Sequence, residues 1–160
     1  MYTSLQVISG LDFTYTIVGS SPSAELIQIT VKDPRVKVTG FVEHLESVLQ
    51  GHILAIIPFE GKFGFRSSII ELMFYGSPVL TTEDGVWGMG FQNGIDILLF
   101  NTSEQLVHSI EQSIKDPKQL ASIALRAQNK VEQEFSFEAT YQKLAKEIKQ
   151  SYHEITGILT

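Results

Sequence analysis

The sequence predicts an α/β domain: a Rossmann-like, doubly wound and mostly parallel sheet with helices on both faces, followed by a helical C-terminal part. Three observations predict it. Short β-branched and apolar runs alternate with helix-spaced patterns as far as Phe100. One of those runs, Ile53-Leu54-Ala55-Ile56-Ile57-Pro58, is apolar throughout, as a strand covered on both faces must be. Beyond Phe100 the spacing is helical to the end.

The elements follow in order. Phe13-Thr14-Tyr15-Thr16-Ile17-Val18 reads as a strand stopped by Gly19-Ser20-Ser21-Pro22. Ser23 to Ile29 reads as a short helix, Val36 to Thr39 as a second strand ending at Gly40, and Leu45 to Leu49 as another short helix. The Ile53–Pro58 strand leads through a Gly-rich loop into a helix carrying Ile69, Leu72, Met73 and Gly76. Pro78 to Thr82 and Ile95 to Phe100 supply two more strands. Asn101-Thr102-Ser103 offers caps for a helix to about Lys115, where Asp116-Pro117 ends it and starts the next, which runs to about Glu134. Ser136 caps a last helix whose Phe137, Tyr141, Leu144, Ile148 and Tyr152 form one apolar stripe, expected to pack into the domain's own core. The residues ahead of Ser9 read as the end of a helix, whereas a doubly wound domain usually opens with a strand. The expected fold therefore lacks that first strand, either as a reduced fold or as a fragment.

With 160 residues, the chain is expected to be one domain, large enough to bury a core without staples. It has no cysteine, which removes disulfides, thiolate nucleophiles and Cys-ligated zinc. Eighteen acids against twelve bases give a net charge of −6, which argues against nonspecific nucleic-acid binding. No apolar run approaches the ~20 residues of a membrane span, and the start has no signal-peptide pattern, so a cytoplasmic location is expected. The four histidines are scattered, and no Walker A loop, nucleophile elbow or dinucleotide-binding Gly-x-Gly-x-x-Gly occurs.

Open α/β sheets bind ligands outside the carboxyl ends of their strands. Phe59-Glu60-Gly61-Lys62-Phe63-Gly64-Phe65-Arg66 follows the most apolar strand and belongs at that edge. Gly61 and Gly64 permit close backbone approach to a ligand, though glycines there also serve simply as turn formers. The helix start that follows offers amide N–H groups to a phosphate or diphosphate. Arg66 adds a guanidinium suited to bidentate phosphate contact, and Lys62 is a second cation. Glu71 has two readings: its carboxylate can accept hydrogen bonds from neighbouring hydroxyls, as on a ribose, or it can close a Ser68-x-x-Glu71 capping box.

The segment IIPFEGKFGFRSSIIELMFYGSPVLTTEDGVWGM, with GIDILLF after it, resembles the C-terminal half of family 4 ("group 1") glycosyltransferases of GT-B fold. Pro58, Gly61, Gly64, Arg66, Glu71, Gly76, Pro78 and Val79 stand in the family's order, and YTIVGSSP, VKVTGFVEHLESVL and EFSFEATYQKL also look like it. The resemblance covers about residues 11 to 152. It implies a nucleotide-diphosphate sugar as donor, no bound metal, the Gly61–Arg66 loop including Phe65 facing the diphosphate, and Glu71 holding the ribose. It also implies that the loop with Gly85, Trp87, Gly88 and Met89 lies near the donor sugar; from the residues alone a mobile surface turn is the default reading. Two positions depart from the pattern. Phe63 stands where the first acid of the family's Glu-(seven residues)-Glu pair belongs, and Ser68 stands where a Gly-x-Arg-x-Lys-x-x-Glu subgroup has lysine.

The expected function is thus the donor domain of a retaining glycosyltransferase. An N-terminal acceptor-binding domain, absent from this chain, would complete the cleft and could bring a peripheral-membrane acceptor. The alternative is a non-catalytic nucleotide-binding or interaction module that kept the half-fold, which Phe63 and Ser68 favour.

Overall fold

The computed structural model describes residues 13–62 and 64–157. The opening segment read as a helix end, and Phe63, lie outside the described residues. The elements run β1 (Tyr15–Val18), α1 (Ala24–Lys32), β2 (Val36–Gly40), α2 (Leu45–Leu49), β3 (Ala55–Ile57), α3 (Ser67–Phe74), β4 (Val79–Thr81), a 3-10 turn (Glu83–Val86), β5 (Leu98–Leu99), α4 (Ser103–Lys115), α5 (Pro117–Glu134) and α6 (Phe137–Gly157).

Every strand pairing is parallel, as the alternation of strands and helices predicts. The strands nevertheless form two ladders, β1–β2 and β3–β4–β5, where the sequence predicts one sheet. The break falls between β1 and β3: β1 spends one edge on β2 and β3 spends one edge on β4, and no ladder joins them.

The core is built around β4. Val79, Leu80 and Thr81 are fully buried. Successive strand residues face opposite ways, so Val79 enters one cluster with Ile69, Met73, Ala127 and Val131 of α3 and α5, while Leu80 enters another with Leu106 of α4. Helices thereby cover both faces of this strand. Each buried aliphatic side chain here contributes about 1.5–3 kcal/mol.

The connection from α3 to β4 explains the Gly76-Ser77-Pro78 sequence. Gly76 adopts φ +74°, its N–H reaches the Met73 carbonyl at 2.9 Å, and the Ser77 N–H reaches the Leu72 carbonyl at 3.0 Å. That pair of bonds is the Schellman ending, which needs a left-handed residue and tolerates proline just after it. At α5, Asp116 accepts the Gln119 N–H at 2.9 Å and Pro117 occupies the first turn, as the sequence predicts. Ser136 likewise caps α6 through the Ala139 N–H at 3.2 Å.

Two sequence expectations need correction. Ile95 to Phe100 is mostly not a strand, because the Gly94, Ile95 and Asp96 amides bond into a tight turn with Ile97 and Gln92, leaving only Leu98–Leu99 in the ladder. The α6 stripe does not enter the core: Phe137, Tyr141, Leu144, Ile148 and Tyr152 are 50–76% exposed. The helix runs on past its start beside α5, and what shields the stripe locally is its own aromatic pairing, with Phe137 and Tyr141 centroids 4.2 Å apart.

Candidate functional site

Four loops leave the carboxyl ends of parallel strands: Gly19–Ser23 after β1, Phe41–His44 after β2, Pro58–Arg66 after β3, and Thr82–Trp87 after β4. Two cavities open among them. One, of about 550 Å³, lies between β1 and β3, with Pro58 and Ser68 among the residues at its carboxyl-end mouth. The other, of about 420 Å³, lies beyond β3, β4 and β5 and is lined by Glu60, Lys62, Thr82, Asp84 and Asn101.

The β3 loop is fastened to the β4 loop by side chains. The Thr82 hydroxyl donates to the Phe59 carbonyl at 2.6 Å and accepts from the Phe59 and Gly85 amides, each at 3.3 Å. That uses its one donor and both acceptor sites. Asp84 accepts the Gly61 N–H at 2.9 Å. The Gly61 amide is therefore taken by the protein, while φ values of +92° at Gly61 and +79° at Gly64 show why glycine stands at both turns. Gly85 is held for packing, since a Cβ there would collide with Thr81 Oγ1.

Both loop cations lie on aromatic faces. Lys62 Nζ sits 4.3 Å from the Trp87 ring centre, and Arg66 Cζ sits 4.2 Å from the Phe59 ring centre. Stacking of this kind orients a cation at this edge. Phe65 packs on Phe135, 5.8 Å between centroids, and Phe91 stacks on the same Phe135 ring at 5.7 Å. Trp87 is exposed, as is Gly88, whereas Met89 is buried and belongs to the interior.

Arg66 is the N-cap of α3 and makes no side-chain capping bond. Ser68, in the first turn of α3, lines the larger cavity, and the first amides of a helix have no partner within it. The capping box expected from Ser68 and Glu71 does not form. The helix starts at Ser67, so Glu71 falls in the second turn, too far along to reach back. Glu71 is exposed and lies near the Tyr75 phenol, as does Glu46. Partial desolvation, and then the carboxylates of Glu46 and Glu71, push the Tyr75 phenol above its usual range.

The structure therefore brings Lys62, Trp87, Arg66 and the α3 start to one edge but does not gather all predicted residues around one void. Lys62 lines the smaller cavity; Arg66, Glu71 and Trp87 line neither. Sequence reasoning missed Thr82 and Asp84 as fasteners. The signal for Thr82 was a small polar residue directly after a buried strand. It also missed Lys130, whose ammonium reaches the Gly90 carbonyl and pairs with buried Asp96 at 3.1 Å, pinning the loop after Trp87 to α5. Among the described residues no three His, Asp or Glu side chains converge as a metal site, and no helix is long and apolar enough to cross a membrane.

Several solved structures share this fold. The crystal structure of Anabaena Alr3699/HepE with UDP superposes with a TM-score of 0.80 at 24% identity, covering 93% of this chain and 44% of HepE. HepE with UDP-glucose gives 0.77 at 23% identity over the same 93%. The C-terminal domain of the group 1 family protein LpcC from Francisella tularensis gives 0.70 at 19% identity, covering 85% of this chain and 76% of that domain. The chain thus spans less than half the length of the HepE chain it matches. No curated protein matches it. The family described as Glycosyl transferases group 1 matches residues 4–116, well over half of the sequence, and the chain belongs to that family.

Proposed function

We propose that this chain is the donor-binding half of a glycosyltransferase and takes a nucleotide-diphosphate sugar at the carboxyl edge of its parallel strands. The observation that carries the reading is the start of α3, where Arg66 stands as N-cap without a side-chain capping bond and Ser68 in the first turn lines the β1–β3 cavity. An α-helix N-terminus next to a guanidinium is suited to a diphosphate. Support comes from the family and from HepE, whose crystal structures hold UDP and UDP-glucose.

In this reading the diphosphate lies against the α3 start, with Arg66 and Lys62 offsetting its charge in place of a metal. Glu71 accepts hydrogen bonds from the ribose hydroxyls, and Trp87 covers the sugar. During transfer the bond from the sugar's anomeric carbon to the diphosphate breaks as the acceptor hydroxyl oxygen bonds to that carbon and loses its proton. Cations and helix amides aimed at the departing diphosphate stabilise the charge that develops there. Retention of configuration and a hexose as the transferred group are parts of the same proposal. So are a cytoplasmic setting and an N-terminal acceptor domain that supplies any general base.

Calorimetric titration with UDP, UDP-glucose and GDP tests it. A folded chain that binds at least one of them with 1:1 stoichiometry meets the expectation; one that binds none removes the donor site. A second reading, a nucleotide-binding module without transfer activity, rests on Phe63, where the resembled pattern has its first acid, and Ser68, where one subgroup has lysine. It predicts binding with no transfer even when an acceptor domain is supplied.

A further inference from the structure

The smaller cavity adjoins the larger one at the β3 loop, where Pro58 lines both. Its depth and its rim differ in chemistry. Phe100 and Leu106 are buried, whereas Glu60, Lys62, Glu83 and Asn101 are exposed. Some of its polar groups are spent on the fold: Thr82 ties the two loops, and Asp84 holds the Gly61 amide. Others are not. Among the described residues, the Glu60 and Glu83 carboxylates, the Asn101 side-chain amide and the Ser103 hydroxyl make no hydrogen bond or ion pair within the chain.

That lining selects a ligand class. The carboxylates of Glu60, Glu83 and Asp84 outweigh the ammonium of Lys62, so a phosphate is repelled. No three His, Asp or Glu side chains converge among the described residues to hold a metal ion. A wholly apolar ligand would bury the rim groups without partners. A neutral, hydroxyl-rich ring meets every group. Its hydroxyls donate to the carboxylates and exchange bonds with Asn101 and Ser103, while its C–H surface covers Phe100 and Leu106. The volume of about 420 Å³ falls within the ~300–1,000 Å³ of small-molecule sites.

We propose that the smaller cavity is a carbohydrate subsite that takes one neutral sugar unit of the acceptor. The acceptor is then a glycan, and this half of the enzyme contacts it directly. The sugar site stands on the cavity alone. Its assignment to the acceptor rests on the donor reading above, in which the donor's own sugar lies under Trp87, a residue outside this cavity.

Amide NMR titration of the folded 160-residue chain with methyl α-glucoside, methyl α-galactoside and methyl α-mannoside tests it. At least one of these should move the Asp84, Asn101 and Ser103 amides with a Kd of about 1–10 mM, alone and equally in saturating UDP. The double variant Glu83→Ala, Asn101→Ala should weaken that binding by about tenfold or more, as loss of two hydrogen-bonding partners does, with UDP affinity unchanged. Should the pair fail to fold, each substitution alone should still weaken it by about threefold. No shift at these amides with any of the sugars would overturn the proposal. So would equal shifts with inorganic phosphate, which would make the cavity an anion site. Sugar shifts displaced by UDP-glucose but not by UDP would give the cavity to the donor's sugar and overturn the acceptor assignment. Sugar shifts in a chain that binds no UDP would refute the donor reading while supporting the sugar site.

Discussion

Thr82 and Phe59 are tied twice, the threonine hydroxyl donating to the Phe59 carbonyl at 2.6 Å and accepting from the Phe59 amide at 3.3 Å. This pair of bonds makes the loops after β3 and β4 one unit. Thr82→Val keeps the shape but removes both bonds and the Gly85 tie. It should cost about 1–3 kcal/mol in denaturant unfolding. Thr82→Ser should recover most of that loss.

Ser68 lines the mouth of the larger cavity at the open start of α3. Ser68→Lys should therefore tighten UDP binding by about tenfold, the gain of roughly one charge-assisted hydrogen bond. The gain should shrink with added salt. Calorimetry at low and high ionic strength measures both effects.

Asp33 forms a fork with Arg35: Oδ1 accepts the Arg35 amide and Nε at 3.0 Å each, and Oδ2 accepts Nη2 at 2.7 Å. These bonds hold the Asp33 carboxyl below the usual carboxylate range, side-chain bonding first and the amide next. A carboxylate with a lowered folded-state pKa contributes stability that is fully present above about pH 4 and is lost as pH falls through the folded value. Melting temperatures of the wild type and Asp33→Asn should thus differ at pH 7. They should converge as the pH drops below about 4.

The exposed α6 stripe makes a simple prediction. Tyr141→Glu and Leu144→Glu, at positions 57% and 50% exposed, should change the stability of this chain by no more than about 0.5 kcal/mol. A large drop in melting temperature would place the stripe against the domain after all.

The fold was largely legible because its signals are local. Apolar runs marked β1 to β4, and Asp116-Pro117 and Ser136 marked helix starts. The misreadings each depend on a distant partner or on absolute position. Ile95 to Phe100 alternates like a strand, but its amides turn back on Gln92 and Ile97, with buried Asp96 fastened by Lys130, 34 residues away. Ser68-x-x-Glu71 has the spacing of a capping box, yet α3 begins at Ser67 and leaves Glu71 past the first turn. The α6 stripe has the right period for a core face, but period alone does not say what a face meets. At the site, the glycines and cations were visible in the sequence. That Gly61's amide is consumed by Asp84 and that Met89 is buried were not, because both depend on how two loops fit together.

The removal of the capping-box reading leaves Glu71 without that structural duty. Glu71→Gln should weaken UDP binding by about tenfold, as loss of a charged hydrogen-bond acceptor does, with melting temperature changed by no more than a few degrees. A large stability loss with unchanged affinity would give Glu71 a structural role instead.

The central claim is that the start of α3 is where the donor's diphosphate binds, and the most direct measurement is an amide NMR titration of the folded chain with UDP. The account predicts that the largest shifts fall on Gly64, Ser67, Ser68 and Ile69, with smaller ones at Gly19 and Gly40. Shifts confined to Lys62, Asn101 and Thr102 around the smaller cavity, with the α3 amides unmoved, would contradict it.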